Sequence, residues 1–327
     1  MILLSTLIEN LSSPAILFFI LGAGAGFLKS DLYVPENFGK YLALYLMMSI
    51  GFKGGVSVFE LDNISGLFPL TVLCGILMSF LLPFVGYFLL SKTTKLDKPT
   101  SAALAAQYGS ISIVTFATAV NFLKQNDVYY LGFMAAIVAI MEAPAIISGL
   151  YLAHKVAPET NKHKKEEQIL TREIFTNGAV LLILGSFTIG LITGKSGMDK
   201  VGGFLEAPFQ GILCLFLLDM GLIVTKNLQS LVSISWRVII FGIYMPIVGA
   251  TLGLFISKLI GLDIGSTTLF ITLCASSSYI AVPAAMKLAL PEANSSIYLP
   301  ISIAITFPIN VIFGIPVYFA IAEYFLG

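Results

Sequence analysis

The segment GSTTLFITLCASSSYIAVPAAMK, residues 265–287, is apolar along most of its length, yet it carries three consecutive serines, Ser276–Ser278, and then Pro283. Serine competes for backbone hydrogen bonds, and proline removes a donor and clashes with the preceding turn. Together they predict a helix interrupted at mid-length. Non-helical backbone in an apolar medium survives only beside protein or a water-filled cavity. A second segment of this kind lies upstream. KPTSAALAAQYGSISIVTFATAV, residues 98–120, aligns with the first without gaps at an offset of 167, which places Ser110 on Ser277. Its interruption is Gly109-Ser110-Ile111-Ser112.

The whole chain is apolar. Of 327 residues, 57% are hydrophobic and 11% charged, with a mean hydropathy of +0.94. Soluble domains carry about 25% charged residues, so the class is a polytopic α-helical membrane protein. A β-barrel would show short alternating segments instead. Zero net charge gives no reason to expect a nucleic-acid partner. Cys74, Cys214 and Cys274 sit in apolar runs and read as small hydrophobes, not as a disulfide framework. His154 and His163 flank a polar loop and have no ligand cluster at metal spacing.

Apolar segments fall at 12–29, 39–58, 66–91, 99–123, 128–155, 174–194, 203–225, 235–260, 265–289 and 296–325. They predict ten membrane helices, split five and five by the polar loop 154–172. If that loop is cytoplasmic, 13 of the 18 Lys and Arg residues lie on its side of the membrane. Lys53, Lys124, Lys195, Lys200 and Lys258 remain on the other. The positive-inside rule then puts both termini outside, and the expected location is the cell inner (plasma) membrane.

The order of features also repeats. EAPAIISG at 142–149 resembles TFPINVIFG at 306–314, and MSIGFKGG at 48–55 resembles LDMGLIVT at 218–225. The reading is two five-helix repeats, 1–155 and 174–327, joined by a linker at 156–173. Five is odd, so the second repeat enters the membrane inverted, with fourth and ninth helices broken. Secondary transporters use this architecture.

A broken helix exposes two ends. One half points N–H groups and positive partial charge at the gap; the other offers carbonyl oxygens. Two facing breaks can hold a small anion on Gly109, Ser110, Ile111, Ser112, Ser276, Ser277 and Ser278. They can hold sodium, a hard cation, on carbonyls and hydroxyls that include Ala275 and Thr115. Serine, threonine and glycine also serve as close-packing contacts in membrane helices, although the pairing at matching repeat positions favours a site. Glu142 and Asp219 lie deep in apolar segments and are functional candidates for the cation. Lys53 has a flexible stem and reads as structural. A serine-protease reading needs a positioned base, and neither histidine lies at membrane depth. A passive channel fits inverted repeats with two broken helices less well.

YGSISIVTF, MEAPA, ASSSYIAVPAAM and ANSSIYLPISIAITFP resemble the sodium-dependent bicarbonate transporter family of cyanobacteria and other bacteria, over essentially the whole chain. That resemblance implies a trimer in which each chain has a gate domain and a mobile core domain, importing bicarbonate with sodium where the broken helices cross. It also implies a possible cytoplasmic PII-like regulator. The family's GxxS pattern falls on Gly109–Ser112 and its Asp-x-Pro on Glu142-Ala143-Pro144. The cyanobacterial form has a serine where Val114 stands, an aspartate where Tyr279 stands and a longer central loop. A sodium- or proton-coupled carrier of a small organic carboxylate is therefore the alternative.

Overall fold

The structure is a computed structural model. It describes residues 2–59, 66–156, 178–279, 282–283, 285–286 and 290–327. Most of the linker, 157–173, and Lys287 lie outside the described residues.

Every described element is helical. The helices are α1 (Ile2–Leu11), α2 (Pro14–Phe27), α3 (Glu36–Phe59), α4 (Leu67–Thr93), α5 (Lys98–Gln107), α6 (Ile113–Gln125) and α7 (Met134–Val156). After the linker come α8 (Gly178–Leu205), α9 (Phe209–Leu228), α10 (Trp236–Ile260), α11 (Ile264–Ala275) and α12 (Ser295–Leu326). Among the described residues seven helices are long and apolar enough to cross a bilayer: α3, α4, α7, α8, α9, α10 and α12. The protein is thus an all-α, multi-pass membrane protein. The other three segments expected to span are the short α2, the α5–α6 pair and the segment that begins with α11. The last two fall short as single helices because each is divided at its serine turn.

Local chemistry sets the boundaries. Asp97 caps α5 by accepting from the Thr100 N–H at 2.8 Å, and Asp263 caps α11 by accepting from Ser266 at 2.9 Å. Ser13 caps α2, with Pro14 in the first turn, where its missing donor does no harm. Gly194 (φ 52°) bends α8 where the expected membrane segment ends, and Gly261 (φ 77°) closes α10. Both conformations are ones that favour glycine.

Helices α2, α3, α8 and α9 form one group. Its pairs are α3 with α8 and α2 with α9. The crossings are glycine-lined: a Cβ on Gly55 would strike the Phe187 carbonyl, and one on Gly221 the Phe19 carbonyl. Small residues let membrane helices approach backbone to backbone. In the second group α4 packs on α5 and α7, and α5 on α7. Correspondingly, α10 packs on α11 and α12, and α11 on α12. Leu73, Leu77 and Leu81 of α4 and Ile247, Phe255 and Leu259 of α10 are exposed apolar side chains, as lipid-facing positions require.

The last helix is irregular. π turns at Ile301–Thr306 and Asn310–Gly314 flank Phe307–Ile309. Pro308 withholds an N–H from the ladder here, and wide turns are one way to absorb that loss. Asn10 of α1 donates to the carbonyls of Val311 (3.2 Å) and Ile312 (2.9 Å).

Candidate functional site at the crossing of two broken helices

α5 ends at Gln107 and α6 begins at Ile113, so Tyr108–Ser112 form the first interruption. α11 ends at Ala275, and Ser276–Ser278 are non-helical. Val282, Pro283, Ala285 and Met286 resume helical conformation. The two interruptions touch. The Ser112 N–H donates to Ser276 Oγ at 3.1 Å, and the Ser278 N–H donates to the Gln107 carbonyl at 2.8 Å. Ser110, Ile111, Ser112, Thr115, Ala275, Ser276, Ser277 and Ser278 are all buried.

The hydrogen bonds sort these residues. Ser276 Oγ accepts from Ser112 and donates to the Leu273 carbonyl at 2.9 Å, so it is a stitch between the breaks. Ser112 Oγ caps α6 by accepting from the Thr115 N–H at 3.2 Å. Ser278 Oγ accepts from the Val282 N–H at 3.4 Å. By contrast, Ser110 Oγ, Ser277 Oγ and Thr115 Oγ1 are buried with no hydrogen-bond partner among the described residues. A buried hydroxyl without a partner costs free energy, and these three lie on the two interruptions or in the first turn after one of them. Gly109 has a packing role: a Cβ there would collide with the Ser79 carbonyl and the Pro83 ring of α4.

Three residues of α12, together with Gln107 of α5, complete the surroundings, and sequence reading missed them. Ser302 donates to Gln107 Oε1, and the Nε2 of that amide has no partner among the described residues. Thr306 donates to the Gly242 carbonyl of α10 at 2.8 Å; the Tyr108 hydroxyl, 2.6 Å away, is therefore the donor to Thr306. Asn310 donates to the Ala275 carbonyl at 2.9 Å and accepts from Tyr318 at 2.6 Å. Ser302, Thr306 and Asn310 recur every four residues, so α12 presents one polar stripe to both breaks. That spacing in an apolar helix was the available signal.

Glu142 and Asp219 are buried, on α7 and α9. Ala135 and Gly149, seven residues either side of Glu142, meet Gly54 of α3 and Ala106 of α5. Glu142 shares their inward face by helical spacing. It makes no hydrogen bond or ion pair among the described residues. Asp219 packs against Gly39 of α3 and lies within electrostatic reach of Tyr279. Neither carboxylate bonds to a residue of the two turns. Among the described residues no three His, Cys, Asp or Glu side chains cluster as for a resident transition metal. Serine and threonine hydroxyls and helix-end carbonyls are neutral oxygen ligands, which a hard cation such as sodium accepts.

No curated protein matches the chain. The profile of the Na+-dependent bicarbonate transporter superfamily matches residues 14–323, nearly all of it. With two interrupted helices meeting at buried hydroxyls that are unpaired among the described residues, and this match spanning both, the chain belongs to the Na+-dependent bicarbonate transporter superfamily and is a transporter, not an enzyme.

Proposed function

We propose that the protein is a sodium-coupled symporter of the plasma membrane that imports bicarbonate or a similar small anion. The observation that carries this is the meeting of the two breaks, with Ser110, Ser277 and Thr115 hydroxyls buried and unpaired among the described residues. In this reading the anion takes hydroxyl and N–H donors, including the amino ends of the resumed half-helices, where the dipole favours negative charge. Sodium takes the hydroxyl of Thr115 and carbonyls at the ends of α5 and α11. Glu142 and Asp219 supply charge compensation from the flanking helices.

The reading includes two inverted five-helix repeats, 1–155 and 174–327, about a cytoplasmic linker at 156–173. Matching contacts support it: α2 with α9 mirrors α8 with α3, and α4 with α5 mirrors α10 with α11. So do the caps Asp97 and Asp263, about 13 and 14 residues before Ser110 and Ser277. The homotrimer and the PII-like regulator implied by the resemblance belong to the same proposal.

The test is uptake of labelled bicarbonate into proteoliposomes. An inward sodium gradient is expected to drive accumulation, and replacement of sodium by potassium to abolish it. Equal uptake in potassium overturns the sodium assignment. Glu142, buried without a partner among the described residues, supports one second reading, a proton-coupled carrier of a small carboxylate. That reading expects uptake to follow a pH gradient alone and to lose this dependence in Glu142→Gln.

A further inference from the structure

A cleft enclosing about 390 Å3, mouth included, opens between α3, α6, the start of α7 and the start of α9. Two lysines line it, Lys53 of α3 and Lys124 of α6, and among the described residues no carboxylate does. Its remaining polar lining is Ser57 and Tyr130. Lys53 is held in place: its ammonium lies 3.1 Å from Glu206 and 5.4 Å from the centre of the Phe209 ring. Lys124 is exposed and forms no ion pair among the described residues. Among the described residues the charge of Lys53 is compensated and that of Lys124 is not. The walls Ile50, Phe116, Val120 and Ala135 are apolar. A positive cleft with low-dielectric walls concentrates field and draws small anions.

The position of the cleft gives it a role. Phe116 is buried at its inner end, and its N–H donates to the Ser112 carbonyl at the first break, 3.0 Å away. Four residues of helix rise about 6 Å, so one turn separates the cleft from the crossing. Lys53 and Lys124 are also two of the five basic residues that the positive-inside count assigns to the outer face. The fold brings these two together at a mouth that leads to the breaks. They come from different helices of the lining. Lys53 belongs to the α2–α3–α8–α9 group and Lys124 to the helix that continues the first break.

We infer that this cleft is an outward-facing anion vestibule: Lys53 and Lys124 bind a small oxyanion before it passes Phe116 to the crossing. The inference rests on the transport reading above for its direction, and on the cleft alone for the binding. Lys124 sets the capture of the anion. Lys53, fixed by Glu206 and Phe209, supplies the second contact and the wall.

Two measurements on the intact purified protein test it. The first is acylation of Lys124 by a membrane-impermeant active ester, read by mass spectrometry in bicarbonate or in gluconate at equal ionic strength. Bicarbonate is expected to slow the modification of Lys124 and to leave that of Lys195 and Lys200 unchanged. The second is bicarbonate uptake by Lys124→Gln, Lys124→Arg and Lys124→Glu. Lys124→Gln is expected to raise KM about three- to tenfold with Vmax within about twofold, and to flatten the dependence of uptake on ionic strength. Lys124→Arg restores the wild-type KM, and Lys124→Glu raises it further. Unprotected Lys124, or a KM unchanged in Lys124→Gln, overturns the vestibule. Protection of Lys124 in a protein that imports no bicarbonate under any gradient leaves the vestibule standing and removes the transport reading.

Discussion

Ser276 and Ser277 are neighbours in sequence and have different employment. Ser276 Oγ makes two hydrogen bonds between the breaks, whereas Ser277 Oγ makes none among the described residues. Loss of a hydrogen bond inside a membrane protein costs about 0.6–2 kcal/mol. Ser276→Ala is expected to lower the thermal stability of the detergent-solubilised protein by that order. Ser277→Ala and Ser110→Ala are expected to leave the melting temperature in place and weaken uptake, with a higher KM for the anion. A Ser277→Ala protein that melts early and transports normally would reverse the assignment. Glu142 calls for a different measurement. Glu142→Gln is expected to raise the sodium concentration needed for half-maximal uptake, because a charge opposing the cation has been removed. An unchanged sodium curve would take Glu142 out of the cation site.

At the scale of elements, α12 holds both broken helices by three side chains on one stripe. Asn310 takes the Ala275 carbonyl at the end of α11, Thr306 takes the Tyr108 hydroxyl, and Ser302 takes Gln107. The carbonyl of Ala275 has no next turn of helix to accept from, so the α12 amide supplies the donor. Asn310→Leu is expected to destabilise the protein by about 1–3 kcal/mol, since it leaves the buried Ala275 carbonyl and the Tyr318 hydroxyl unpaired. Thermal unfolding in detergent checks this, and a stability equal to wild type would show that the clamp is dispensable. The glycine-lined crossings set a second condition. Gly55→Leu would drive a side chain into the Phe187 backbone of α8 and is expected to prevent assembly of that pair, read as loss of monodisperse protein on size exclusion.

For the whole molecule, an imported anion moves against the cell's potential at about 2.3 kcal/mol per charge per 100 mV. In the proposed symport one sodium per anion would cancel that charge, and accumulation would then follow the sodium gradient. The direction of import depends on topology. The basic residues predict that a cysteine placed at 160–166 is labelled from the cytoplasmic side; Cys214 and Cys274 are buried, and Cys74 is partly so, which keeps the background low. Labelling from outside would invert the orientation, and with it the side on which the lysine cleft opens.

Hydropathy and composition determined the class, because an apolar stretch long enough to cross a bilayer has few other uses. They also located both interruptions, since serine and proline break a helix through bonds to their own neighbours. The internal alignment at Ser110 and Ser277 made a meeting of the two turns legible before any coordinates. Tertiary structure alone decided which hydroxyls are free. Ser112 and Ser276 are 164 residues apart, and whether a serine pairs depends on what faces it. The same holds for Lys53, which reads locally as a structural, snorkelling lysine. Only the approach of α6 to α3 brings it into the same cleft as Lys124, because charge acts through space and not along the chain.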